Sequence, residues 1–145
     1  ENKTIDLLEL IASETKVLDQ LNWSSEPVTV IYDAPCHLMH AQGVDANPRR
    51  LIGSRSGVKL VPLPESHWCC GSAGIYNLVQ PELAGSVLQR KIDSIHETIK
   101  AHPETRILLT ANPGCLYQIR AGINQAGIPL EVMHSAVFLA GRLKT

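Results

Sequence analysis

Charge of either sign is not in excess: 13 Lys and Arg stand against 14 Asp and Glu, a net charge of −1. Without a basic field the chain offers no electrostatic footprint for nucleic acid. No apolar run approaches the ~20 residues that a membrane-spanning helix needs, and no signal-peptide pattern opens the chain. Cysteine is sparse as well, and four thiols in 145 residues are too few for a disulfide scaffold. A reducing cytoplasm is therefore the expected compartment, where thiols act as metal ligands, catalytic groups or core filler. There is no internal repeat, no low-complexity segment and no Cys-x-x-Cys at a helix start, which disfavours a thiol–disulfide enzyme. The chain opens at Glu1 and runs straight into a helical pattern, as expected of a piece of a longer protein.

What is present suits one folded domain. The hydrophobic fraction is 44% and the charged fraction 19%, as in ordinary globular proteins. Residues 3–21 have helical spacing, with Ile5, Leu8, Ile11, Ala12 and Leu18 on one stripe. Strands are expected at 28–33, 58–63, 106–111 and 130–134, where β-branched and apolar residues cluster. Helices are expected at 47–57, after Pro81, at 115–126, and from Ser135 as N-cap. In the long helix after Pro81 the stripe from Leu83 through Val87, Leu88, Ile92 and Ile95 to Ile99 reads as core. The face of Lys91, Asp93 and Glu97 reads as solvated. Strands alternating with helices predict an α/β domain, Rossmann-like and three-layered, around a parallel sheet of about four strands.

On that plan the cysteines share one property. Cys36 follows the first strand in "DAPCH", Cys69 and Cys70 lie in the loop leaving the second, and Cys115 closes "ANPGC" after the third. All four sit at carboxyl ends of strands, the edge where open parallel sheets place their binding sites. Core filler would fall instead on inward stripes or within strands. A strained ring argues against a disulfide between the neighbours Cys69 and Cys70. Four convergent thiolates suit zinc in a closed tetrahedral site or an iron–sulfur cluster. After the pair, "GSAG" supplies small residues, Gly71 and Gly74 among them, that let backbone approach a bulky group and aim amides at sulfur.

At these residues the sequence resembles the cysteine-rich CCG domain family, known from the B subunit of heterodisulfide reductases and related iron–sulfur proteins. The family pattern is a lone Cys, a long gap, Cys-Cys-Gly, a second gap and Cys-x-x-Cys. Here it reads Cys36, Cys69-Cys70-Gly71 and Asn112-Pro-Gly-Cys115. Within the family, "APCHLMHAQGV", "ESHWCCGSAGIYNLVQPELA" and "TANPGCLYQIRAGI" look most like the C-terminal part of the glycolate oxidase iron–sulfur subunit. The resemblance divides the chain into an N-terminal helix and linker, 1–27, from the preceding part of the protein, and a CCG domain, 28–145.

The same resemblance implies an electron-transfer module whose metal ligands are Cys36, Cys69, Cys70 and Cys115, holding a [4Fe–4S] cluster. It implies flavin-containing partner subunits that oxidise glycolate or a similar 2-hydroxy acid, and a ferredoxin-like N-terminal part of the same chain. The location implied is cytoplasmic, peripheral at the inner face of the membrane through the complex. Asn112 replaces the first Cys of the last motif, so the five thiols of a noncubane cluster are not available. A four-cysteine cluster, a cluster with a non-cysteine ligand, and zinc all stay open, as does a zinc-binding or metal-free docking module for a flavoprotein.

Around the thiols, Asn112 is expected as a hydrogen-bond donor or turn former. His37 and His67 are the histidines expected near the metal, with His40 close by. Asp33 reads as no more than a turn cap. Gly71 to Gly74 before a helical segment also fits a phosphate cradle, but the rest of a dinucleotide fingerprint is missing.

Overall fold

The β-branched run Val28–Asp33 forms the central strand, β1, five of its six residues buried, as expected of a strand covered on both faces. In the computed structural model, which describes residues 5–144, β1 is flanked by β2 (Val58–Val61) and β3 (Thr105–Thr110), with β4 (Glu131–His134) outside β3. All pairings are parallel, in the order β2-β1-β3-β4. The helices are α1 (Leu7–Ser13), α2 (Thr15–Leu18), α3 (Ala46–Gly53), α4 (Tyr76–Val79), α5 (Pro81–Ala101), α6 (Pro113–Gln125) and α7 (Ser135–Gly141), with a π-helical turn at Leu38–Gln42.

Alternation along the strands sends two sets of side chains to two faces. Ile31, Leu108 and Val132 pack with Ile92 and Ile95 of α5 and Ile119 and Ile123 of α6. Val30, Tyr32 and Leu109 pack with Leu8 and Ala12 of α1, Leu51 and Ile52 of α3, and Phe138 and Leu139 of α7. The result is the expected three-layer α/β fold. A Cβ on Gly122 would lie 2.8 Å from the Ile92 side chain, so α6 approaches α5 closely at that point. Among the described residues no helix is long and apolar enough to cross a membrane.

The amino ends of the strands are stapled by Arg142, whose Nη2 donates to the carbonyls of Ser24, Glu26 and Ser56. That end carries structure; the carboxyl ends are left for chemistry. Because β2 and β3 lie on opposite sides of β1, the chain reverses direction across the sheet between β1 and β3, and a crevice opens there.

Several elements differ from the sequence expectation. The helix expected over 3–21 is two pieces, part of it outside the described residues. Asp6 caps α1 by accepting from the amides of Leu8 and Glu9. Ser13 donates back to the Leu10 carbonyl at 2.7 Å and the helix stops there. Ile5 is exposed. Strand β2 stops at Val61 because Pro62 has no amide for the ladder. His134 rather than Ser135 caps α7, its Nδ1 accepting from the Ala136 amide. In α5 the expected core residues Leu83 and Val87 are exposed, and Ala84 is buried in the first turns instead.

The largest difference concerns Lys91, expected on the solvated face. Its side chain is 1% exposed and lies 2.7 Å from Oδ1 of Asp33, itself 1% exposed. Asp33 is therefore half of a buried ion pair between β1 and α5, and more than a turn cap. Burial is the larger influence on its carboxyl and pushes the pKa up to about 6, against the opposing pull of Lys91. A carboxyl raised in this way binds its proton more tightly in the folded than in the unfolded chain. Its contribution to stability is full below about pH 4 and is lost as pH rises through about 6. Denaturant titrations should show wild type losing up to about 3 kcal/mol relative to Asp33→Asn between pH 4 and pH 7. A difference that does not change with pH would contradict this.

Candidate metal centre

Three loops deliver the four cysteines to one place. Cys36 begins the helical turn after β1, Cys69 and Cys70 end the loop after β2, and Cys115 lies in the first turn of α6 after β3. All four line a cavity of about 340 Å³, whose wall also includes His37, Gly74, Asn112 and Gly114. Cys70 and Cys115 are buried, whereas Cys36 and Cys69 are half-buried and face the mouth.

Local sequence explains how each thiol is held. Asn112 has extended backbone and accepts from the Cys115 amide at 3.1 Å, capping α6. Pro113 follows at the first helical position, where its fixed φ is favourable. Asn112 is thus a turn former and hydrogen-bond acceptor that sets Cys115 in the helix start. After the cysteine pair the backbone turns left-handed three times, at Gly71 (φ 87°), Ala73 (φ 35°) and Gly74 (φ 67°). A Cβ on Gly71 would lie 2.4 Å from the Ala84 carbonyl oxygen, so this glycine is required by its contact with α5 as well as by its φ. At Gly74 nothing lies within 4 Å, and only the backbone angle calls for glycine.

The electrostatics resist full ionisation. Cys70 and Cys115 share a hydrogen bond that, as the largest influence, draws Cys70 down to about 7 and drives Cys115 far above the thiol range. Burial raises Cys36, and the neighbouring Cys69 and Cys70 add to the effect. The chain's own groups thus favour a single thiolate in the Cys70–Cys115 pair. Ionising the second thiol of that pair, or Cys36, is eased by a cation among them. The Gly71 amide donates to the Cys69 sulfur at 3.3 Å.

Of the flanking residues expected from sequence, His37, Gly74 and Asn112 are in the cavity wall, and Gly71 stands behind it against α5. His67 is not in the wall. Its carbonyl accepts from His40 Nε2 at 3.3 Å, and the two rings meet edge to face with centroids 6.2 Å apart. Sequence reasoning missed Lys91 and Asp33. The signal was there, since Lys91 falls on the inward stripe with Leu88, Ile95 and Thr98.

The donor set fits a thiolate-ligated group: among the described residues the wall holds four cysteines and no carboxylate. Among the described residues no three His, Cys, Asp or Glu side chains are gathered as a site for a single ion. Zinc would draw all four sulfurs to about 2.3 Å from one point.

Residues 30–120 match the CCG family of cysteine-rich domains. The chain is 31% identical over 137 residues to lactate utilization protein A of Exiguobacterium sp., covering 94% of this chain and 53% of that protein. It is 37% identical over 117 residues to a probable glycolate oxidase iron–sulfur subunit of Bacillus subtilis, covering 81% of this chain and 25% of the relative. To lactate utilization protein A of Geobacillus thermodenitrificans it is 33% identical over 140 residues, covering 97% and 56%. The chain therefore spans about half or less of the length of these relatives.

The two glycines separate two kinds of constraint. Gly71→Ala meets both a left-handed penalty of about 1–2 kcal/mol and an overpacking cost of about 1–3 kcal/mol. Gly74→Ala meets only the first. Urea unfolding should rank Gly71→Ala well below Gly74→Ala in stability; equal losses would contradict the contact with Ala84.

Proposed function

The chain belongs to the CCG family of cysteine-rich domains, and from that premise we propose that it is an electron-transfer module binding an iron–sulfur cluster. The observation that carries this reading is the convergence of four cysteines, from three loops, on one cavity free of carboxylates. A bound [4Fe–4S] cluster would supply a one-electron couple. Cys36, Cys69, Cys70 and Cys115 would hold it, the buried pair excluding water and the half-buried pair facing the surface. The Gly71 amide, already on the Cys69 sulfur, would stabilise its negative charge. Asn112 would keep Cys115 in register through the α6 cap.

Two relatives are named for glycolate and lactate, both 2-hydroxy acids. On the proposed reading the electrons come from a flavin-containing subunit that oxidises such an acid, and this chain carries no catalytic residue of its own. Residues 28–145 then form the cysteine-rich unit and 1–27 its helical lead-in, which packs through Leu8 and Ala12 against the α7 face. The complex is placed in the cytoplasm, peripheral at the inner face of the membrane.

A second reading, a docking module whose thiols hold zinc or nothing, has one observation in its favour. Next to the cavity Ile75, Leu78 and Val79 expose apolar side chains, and α4 buries none of its residues.

Single Cys→Ser variants test the first reading in protein purified without oxygen. Cys69→Ser and Cys115→Ser should each lose most of the iron and the visible absorption that the wild type carries. Unchanged iron in Cys69→Ser would contradict the ligand set, and a colourless wild type containing zinc would favour the docking module.

A further inference from the structure

The segment that carries Cys69 and Cys70 makes few hydrogen bonds of its own and is held from both sides by charged side chains. On α5, Ser94 donates to the Pro64 carbonyl at 2.7 Å. One turn earlier, Lys91 Nζ donates to the carbonyls of Glu65 (2.9 Å) and Ser66 (3.1 Å) as well as to Asp33. Arg90 binds both carboxylate oxygens of Glu65 and stacks its guanidinium 3.2 Å from the Trp68 ring centroid. From the opposite face Arg49 of α3 donates to Ser66 Oγ at 2.7 Å. Glu65 holds a left-handed backbone (φ 54°), which a non-glycine residue adopts at a cost and which the neighbouring bonds fix.

Lys91 differs from the other clamps. Arg90 and Glu65 are exposed and screened by solvent. Lys91 is buried, and its three partners come from a strand end and a loop: Asp33, the last residue of β1 and three residues before Cys36, and Glu65 and Ser66, in the loop just before Cys69. One ammonium therefore ties the end of the strand that leads into Cys36 to the loop of the pair. It also brings a positive charge against the loop that carries two of the thiols, and it pairs at 2.7 Å with the buried carboxylate of Asp33.

We propose that Lys91 is a positioning residue of the metal centre: it locks the Cys69–Cys70 loop to the end of β1, from which the Cys36 turn departs, and, through its balance with Asp33, sets the charge that a bound cluster meets. This rests on the proposed function. Groups beyond the ligands commonly govern metal affinity by about ten- to a hundredfold, and charge near an iron–sulfur cluster moves its potential.

The test compares wild type, Lys91→Met, Lys91→Arg, Asp33→Asn and the Lys91→Met/Asp33→Asn double variant. Three quantities are read: cobalt(II) affinity of the metal-free protein from thiolate absorption, cluster reduction potential in protein purified without oxygen, and thermal midpoint. Lys91→Met should weaken cobalt binding about ten- to a hundredfold and move the potential to more negative values. Lys91→Arg should recover much of both. Asp33→Asn, which leaves the ammonium unbalanced, should move the potential the opposite way. The double variant should return the potential towards wild type while its thermal midpoint stays low. A lysine that only stabilised the fold would lower the midpoint and leave potential and cobalt affinity unmoved, and that result overturns the inference. If Lys91→Met does not fold, an unmoved potential in Asp33→Asn overturns it equally. Wild type that takes up neither iron nor cobalt would remove the proposed function and this inference together; wild-type loading with unmoved variants removes the inference alone.

Discussion

Lys91 brings a charge into the interior 2.7 Å from Asp33, and the cysteine-bearing edge of the sheet is organised around that pair. A buried ion pair is weak evidence for stability in itself, since desolvation consumes most of the attraction. Removing one partner, however, strands the other and costs about 3–5 kcal/mol. Here the ammonium has three acceptors, two of them backbone carbonyls of the loop leading to Cys69. The interaction therefore converts burial into position: it fixes where the loop before Cys69 lies relative to the end of β1, with Asp33 58 residues before Lys91 along the chain.

Position matters because of what the thiols resist. The hydrogen bond between Cys70 and Cys115 eases one negative charge onto the pair and discourages a second. Burial and nearby thiols hold Cys36 neutral. On the proposed reading a cation or cationic cluster supplies the missing compensation, and its affinity rests on how little the loops must rearrange. The Arg142 staple at the far edge, the Gly71–Ala84 contact and the Asn112 cap all reduce that rearrangement.

The fold was legible because the β-branched runs at Val28–Asp33 and Thr105–Thr110 have few other uses, and because helices between strands force a parallel sheet. The gathering of Cys36, Cys69, Cys70 and Cys115 followed from strand ends alone, without any short-range spacing. Lys91 was not legible by type, since a lone lysine on a long helix is ordinarily solvated, and Asp33 at a strand exit is ordinarily a cap. Their partnership is a tertiary fact; only the phase of Lys91 relative to Ile95 and Thr98 hinted at it. The break at Ser13 and the exposure of Leu83 and Val87 were hidden for a similar reason. Periodicity reports an apolar stripe but not where along a helix the sheet beneath it ends.

The central claim is that these four cysteines hold an iron–sulfur cluster, and iron together with acid-labile sulfide measures it most directly. Protein purified without oxygen should contain both in the proportions of one cluster, with an EPR signal that changes on reduction. Zinc without sulfide, or no metal after anaerobic reconstitution with iron and sulfide, would contradict the account.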